Sequence, residues 1–235
     1  MNKYFNQPII ILGGFFIDSF SYKEMKEYIE SRTNNKVEII SVSKLEWLGT
    51  NWKFGWKNIL DKVNKKVKEL SKESNTNQVT LIGHSSGGMI LRLYLSDLLF
   101  NRKIYNGKKY ANCLITLGSP NQAKNATYLR NFVSSKLPGS YYSKDVKYIS
   151  VAGELDLNGT AATKTSLRLS KSSYRALNGS GNVIGDGLVP KDSALLIGSK
   201  QIVIKETAHG KTFGKYWYGS KNKVEEWLNE SLALE

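Results

Sequence analysis

The chain has 235 residues, 40% hydrophobic and 23% charged, long enough for one α/β domain with a sizeable core and short for two. No Pro-rich or Ser-rich linker, internal repeat or low-complexity tract interrupts it, so residues 1–235 read as a single domain without extended disorder. Lys and Arg number 34 against 20 Asp and Glu, a net charge of +14 suited to anionic partners; with no helix-turn-helix, zinc-ligand cluster or RRM-type motif beside it, nucleic acid is not the expected one.

At the N-terminus, MNKYFNQPIIILGGFFI has the early Lys and apolar run of a secretory signal, but no small-x-small cleavage site follows, and DSFSYKEMKEYIE continues into a helical pattern. The run is also too short to span a bilayer. Residues 8–12 therefore read as a first strand. Further short β-branched runs lie at 37–42, 78–82, 113–117, 148–152 and 201–204, with amphipathic stretches at 21–32, 56–72, 87–99, 122–136, 164–177 and 221–232. In the second of these stretches Ile59, Leu60, Val63, Val67 and Leu70 form an apolar stripe and the lysines lie largely elsewhere, so much of the positive charge reads as a solvated face. Cys113, the only cysteine, excludes an intrachain disulfide and a thiolate metal site; within CLITL it reads as a buried structural thiol, which suits a cytoplasmic protein.

Strands alternating with helices predict a mainly parallel sheet of about six strands, covered on both faces. The working site of such a sheet lies at the carboxyl ends of its strands. Those ends carry Gly13-Gly14-Phe15, the segment Ser43 to Trp56, Gly83 to Gly88, Gly118-Ser119-Pro120, Gly153 to Asp156, and Lys205 to His209.

The segment LIGHSSGGMI contains G-x-S-x-G, the pattern of a nucleophile elbow, in which a tight strand-to-helix turn lifts a serine hydroxyl above the sheet. Strand and helix backbones nearly touch there, so the positions two before and two after the nucleophile must be small. For Ser85 they are Gly83 and Gly87; for Ser86 one would be His84. Ser85 is the nucleophile candidate, Gly88 lets the new helix pack close to the sheet, and the Ser86 hydroxyl is expected to be dispensable. Serine needs a base. Of the two histidines, His84 sits inside the elbow with a diverging side chain, which leaves His209 after the last strand. The acid that orients it is Asp186, in the glycine-flanked turn GDGLVP, with Asp156 in GELD held in reserve. Backbone N–H groups of Ser86 and Phe15 are the candidate oxyanion donors.

These segments resemble the α/β-hydrolase superfamily, and within it bacterial triacylglycerol-lipase-like enzymes and the lipase-like hydrolases of cyanobacteria and plastids. The likeness rests on LGGF, VTLIGHSSGG, LITLGSP, GDGLVP and AHG, which occur in family order over most of the chain. It implies an α/β-hydrolase fold with Ser85, Asp186 and His209 as triad and Phe15 with Ser86 as oxyanion donors. Gly13 departs from the histidine that many lipases carry there.

Aromatic residues crowd the strand-end loops: Phe15, Phe16, Phe20, Trp47, Trp52, Trp56, Tyr141 and Tyr142. Phe16, Trp47, Leu155 and Leu188 are taken as substrate-binding candidates, and segments 121–147 and 157–184 as places for a small cap. The expected activity is hydrolysis of carboxylic esters of a hydrophobic acyl substrate, with no metal or cofactor. The rivals are a thioesterase or acyltransferase using the same residues, and a non-catalytic ligand-binding protein on the same fold. The basic surface suggests peripheral contact with anionic membranes, and nothing in the sequence specifies an oligomeric state.

Overall fold

The β-branched runs become strands β1 (Ile9–Leu12), β2 (Val37–Ile40), β3 (Val79–His84), β4 (Ala111–Leu117), β5 (Lys147–Glu154) and β6 (Lys200–Lys205). The computed structural model describes residues 3–123 and 127–233, and joins these strands into one parallel sheet in the order β2-β1-β3-β4-β5-β6. Successive residues of a strand face opposite sides, and β1 shows the consequence. Ile10 and Leu12 enter one apolar core, with Ile59, Leu60, Val63 and Met89. Ile9 and Ile11 enter the other, with Met25, Ile29, Val224 and Trp227. A helix layer therefore covers each face, as expected of a parallel sheet.

The helices are α1 (Lys23–Thr33), α2 (Lys44–Leu48), α3 (Lys53–Glu73), α4 (Ser86–Leu95), α5 (Tyr128–Lys136), α6 (Lys164–Asn178), α7 (Lys191–Ala194) and α8 (Lys221–Leu232). The stripe read in residues 56–72 is buried along α3. Helix α4 stops at Leu95, short of the expected Leu99, because Ser96 turns to extended backbone and its hydroxyl bonds to the Leu93 carbonyl at 2.8 Å. Part of the expected 122–136 helix and 121–147 cap falls on Lys124 to Ala126, outside the described residues. Within the described part, α5 packs on α4 and reaches the mouth of the cleft through Arg130. The second candidate cap forms α6, which lines no part of that cleft; its Tyr174 hydroxyl instead accepts the Gly187 N–H at 2.7 Å and braces the turn carrying Asp186.

Sheet order reverses at β1, between β2 and β3, so a crevice opens between the carboxyl ends of β1 and β3. The Gly13-to-Phe15 turn and Ser85 meet in that crevice.

Candidate active site

Ser85 occupies the joint between β3 and α4 at φ 53°, ψ −125°, a conformation that L-residues rarely adopt and that clusters at functional turns. The close approach behind this turn is measurable at the glycines. A Cβ on Gly83 would lie 2.4 Å from the Gly88 Cα, and one on Gly87 would lie 2.4 Å from the Leu12 carbonyl oxygen. Gly88 packs against the Ser119 hydroxyl with no room for a methyl group. The small-residue requirement at Gly83 and Gly87 is thus a direct backbone contact.

The Ser85 Oγ lies 2.9 Å from His209 Nε2, and His209 Nδ1 lies 2.8 Å from Asp186 Oδ2. Asp186 is held on every side. Its Oδ1 accepts the N–H groups of Leu188 (3.0 Å) and Val189 (2.7 Å), and its Oδ2 also accepts the Tyr218 hydroxyl at 2.9 Å. Tyr218 is oriented in turn by the Gly153 N–H, which donates to its oxygen at 2.7 Å. Gly118, at φ +53°, makes space for this arrangement, since a Cβ there would meet Asp186 Oδ2 and the Tyr218 ring, each at 2.7 Å. Backbone pairing adds a further tie, His209 N–H to the Asp186 carbonyl at 2.8 Å. Burial beside the Asp186 carboxylate pushes the Tyr218 hydroxyl well above its usual range, so it stays protonated as a donor.

Asp156 is not part of this chain of bonds. It is exposed and its Oδ1 accepts the Asn158 N–H at 2.9 Å, capping a turn. His84 is fully buried and paired elsewhere, with Nδ1 2.8 Å from the Tyr22 hydroxyl. That hydroxyl also accepts the Gly14 N–H at 2.8 Å, so Tyr22 ties the His84 ring to the turn after β1. Burial, then the neighbouring His209, holds the His84 pKa well below 6.5 and keeps the ring neutral. Its centroid lies 4.9 Å from that of His209, so it packs against that ring.

The turn after β1 closes over Ser85. A Cβ on Gly14 would stand 2.8 Å from the Ser85 Cβ, and one on Gly13 would stand 2.6 Å from the Tyr22 ring. The Tyr22 ring fills the space that a residue-13 side chain would need, which accounts for glycine where many lipases carry histidine. Among the described residues the Phe15 and Ser86 N–H groups donate to no protein acceptor, and both residues border the Ser85 cleft.

That cleft has a volume of about 490 Å³ and is lined by Phe15, Phe16, Ile17, Leu188, Phe213 and Trp217 around Ser85 and His209. A side pocket of about 210 Å³ shares Phe15, Ser86 and Arg130 with it and runs under Trp47, Trp56 and Ile90. Phe16 and Leu188 thus reach the cleft and Trp47 the side pocket. Leu155 does not: it is 5% exposed, packs near Gly187 and belongs to the core on the α1 and α8 side. The strand-end position suggested a pocket residue, but the Leu155 N–H pairs with the Gly185 carbonyl at 2.9 Å and turns the side chain inward. Phe20, Trp52, Tyr141 and Tyr142 line neither compartment. Tyr22, Tyr218 and Arg130 had no motif to mark them.

Among the described residues no group of three or more His, Cys, Asp or Glu side chains could hold a metal ion, and no helix is long and apolar enough to cross a membrane. Cys113 is buried, with its thiol pushed up to about 12 by loss of solvent.

Solved structures of low identity share this architecture over nearly the whole chain. A gene product of Listeria innocua superposes with TM-score 0.56 at 14% identity, covering 98% of this chain and 95% of its own. Est1E of Butyrivibrio proteoclasticus, solved with ferulic acid bound, gives 0.55 at 15% identity over 97% and 90%. An α/β serine hydrolase homologue from Coxiella burnetii gives 0.52 at 12% identity over 97% and 86%. The fold is the α/β-hydrolase fold. A family model for palmitoyl protein thioesterase matches residues 8–155, from the start of the β1 run through the elbow to the end of β5, stopping short of Asp186 and His209. With more than half of its length so matched, this chain belongs to the palmitoyl protein thioesterase family.

Proposed function

We propose that this protein is a serine hydrolase of acyl esters and thioesters with an apolar acyl group, acting through an acyl-enzyme on Ser85. The observation that carries the reading is the continuous hydrogen-bonded line from the Ser85 hydroxyl through His209 to Asp186 at the floor of an apolar cleft. In this reading His209 Nε2 takes the Ser85 proton as Oγ attacks the carbonyl carbon. The Phe15 and Ser86 N–H groups hold the resulting oxyanion, and Asp186 stabilises the imidazolium. Collapse of the tetrahedral adduct passes the proton from His209 to the leaving oxygen or sulfur. Water then repeats the sequence on the acyl-enzyme and regenerates Ser85.

Family membership favours the thioester over the oxygen ester, so matched acyl thioesters and esters should both turn over, with the thioester ahead in kcat/KM. A fluorophosphonate probe should label the wild type and Ser86→Ala but not Ser85→Ala. An unlabelled wild type would sink the proposal and restore the reading of a non-catalytic binding protein.

A further inference from the structure

Two arginines lie near the cleft, Arg92 buried and Arg130 half-buried, and they differ in what their guanidinium groups do. Arg92 spends its donors on the main-chain carbonyls of Asn121 (3.1 Å) and Leu137, on the Asn121 side-chain oxygen (3.4 Å) and on Met89 Sδ (3.8 Å), and borders no cavity around Ser85. It ties α4 to the segments on either side of α5. Arg130, in the first turn of α5, makes a single hydrogen bond among the described residues, from Nη2 to the Ser86 Oγ at 2.9 Å. Among the described residues it has no carboxylate partner, and loss of solvent lowers its pKa. A guanidinium has five N–H donors, so most of those on Arg130 are unused. It borders both the cleft and the side pocket, at the point where the two meet beside Ser85.

A partly desolvated cation with spare donors and no carboxylate partner among the described residues is costly to hold, and an anion delivered to it recovers that cost through paired, charge-assisted hydrogen bonds. Other charges at the cleft do not supply that anion. The Asp18 carboxylate is exposed and is taken up by the Ser21 N–H at 3.0 Å, and Lys211 is an exposed cation. The Ser86 hydroxyl, which accepts from Arg130, keeps its own hydrogen available.

We propose that Arg130, with the Ser86 hydroxyl, forms an anion-binding subsite that holds a carboxylate or phosphate carried by the substrate beside its reacting carbonyl. The proposal rests on the hydrolase reading above and narrows its substrates to amphipathic acyl compounds, apolar along the cleft and acidic at Arg130. The acid can stand on the acyl side or on the leaving side, and paired substrates separate the two. For the acyl side, mono-p-nitrophenyl glutarate is compared with p-nitrophenyl butyrate. For the leaving side, butyryl coenzyme A is compared with butyryl N-acetylcysteamine.

In one of these pairs the wild type should favour the anionic member. Arg130→Gln should lower kcat/KM for that member about 10- to 100-fold more than for its neutral partner, chiefly through KM. Arg130→Lys should restore part of the difference, which a purely structural role for the guanidinium would not produce. Equal losses on both members of each pair, or no preference in the wild type, would overturn the subsite while leaving the hydrolase reading intact. If the wild type hydrolyses none of the four, that reading fails, and calorimetric binding of glutarate and inorganic phosphate decides the subsite alone. Binding that is lost in Arg130→Gln supports it, and absence of binding to the wild type removes it.

Discussion

On the His209 side of the cleft, Asp186 is surrounded by donors, Tyr218 is held by Gly153, and backbone bonds tie the Asp186 turn to β5 and to His209. On the opposite side, among the described residues, Arg130 uses one bond, Phe15 and Phe16 are about two-fifths exposed, and the Phe15 and Ser86 N–H groups have no protein acceptor. The first wall is already organised before any ligand arrives; the second leaves its polar capacity open to one. On the function proposed above, a site divided in this way would separate proton transfer, which tolerates little displacement, from recognition, which the ligand completes. Substitutions on the first wall should therefore cost rate whatever the substrate, and those on the second should cost rate in proportion to what the substrate offers.

The largest effect tests the first wall. Asp186→Asn keeps an oxygen for the Leu188 and Val189 N–H groups but turns an amide donor toward His209 Nδ1, favouring the wrong tautomer, and should lower kcat by about 10⁴-fold. Asp156→Asn, at an exposed turn cap, should stay within about 2-fold of wild type on the same substrates, because surface positions of this kind have small effects. Comparable losses in the two variants would show that the buried carboxylate is not the one that matters.

Next in size is the junction of the walls. A methyl group on Gly14 would collide with the Ser85 Cβ and press on His84 Nδ1, so Gly14→Ala must displace the turn carrying the Phe15 N–H. A loss of about 10²-fold in kcat is expected, the scale of removing one oxyanion donor. Steady-state kinetics beside the thermal melt separates this from unfolding. A folded Gly14→Ala enzyme with wild-type kcat would mean that Phe15 holds no oxyanion.

Much of this arrangement was legible because its signals are local. β-Branched runs mark all six strands, the spacing of Gly83 and Gly87 selects Ser85 over Ser86, and a chain with two histidines leaves one for the base. The glycine-flanked turn favoured Asp186 over Asp156 in the sequence, and the tertiary path brings Asp186, not Asp156, to His209. Tyr218 and Tyr22 were illegible for the same reason: each acts through a single hydroxyl on a partner distant in sequence, with no periodicity to betray it. Arg130, one of 34 basic residues in the chain, lies in an amphipathic stretch, and what marks it is its place at the cleft without a carboxylate partner among the described residues. The Ser86 hydroxyl, read as dispensable, turns out to be the acceptor for that guanidinium.

The smallest effect lies beneath both walls, at the neutral His84 that joins Tyr22, Gly14 and the packing of His209. Its folded pKa is well below 6.5, so between those two values the unfolded chain binds a proton that the folded protein does not. Stability from this group is therefore fully present above about pH 6.5 and declines as pH falls toward the folded pKa, by up to about 1.4 kcal/mol per pH unit. His84→Asn keeps a polar side chain toward the Tyr22 hydroxyl and carries no titrating group. It should lose some packing at every pH but have a shallower dependence than wild type from pH 6.5 to 5. Urea melts across that range measure both slopes, and the difference between them cancels the carboxylates common to the two proteins. Parallel slopes would place the His84 proton in the folded state at these pH values, and would put a charged ring against His209 where the geometry calls for a neutral one.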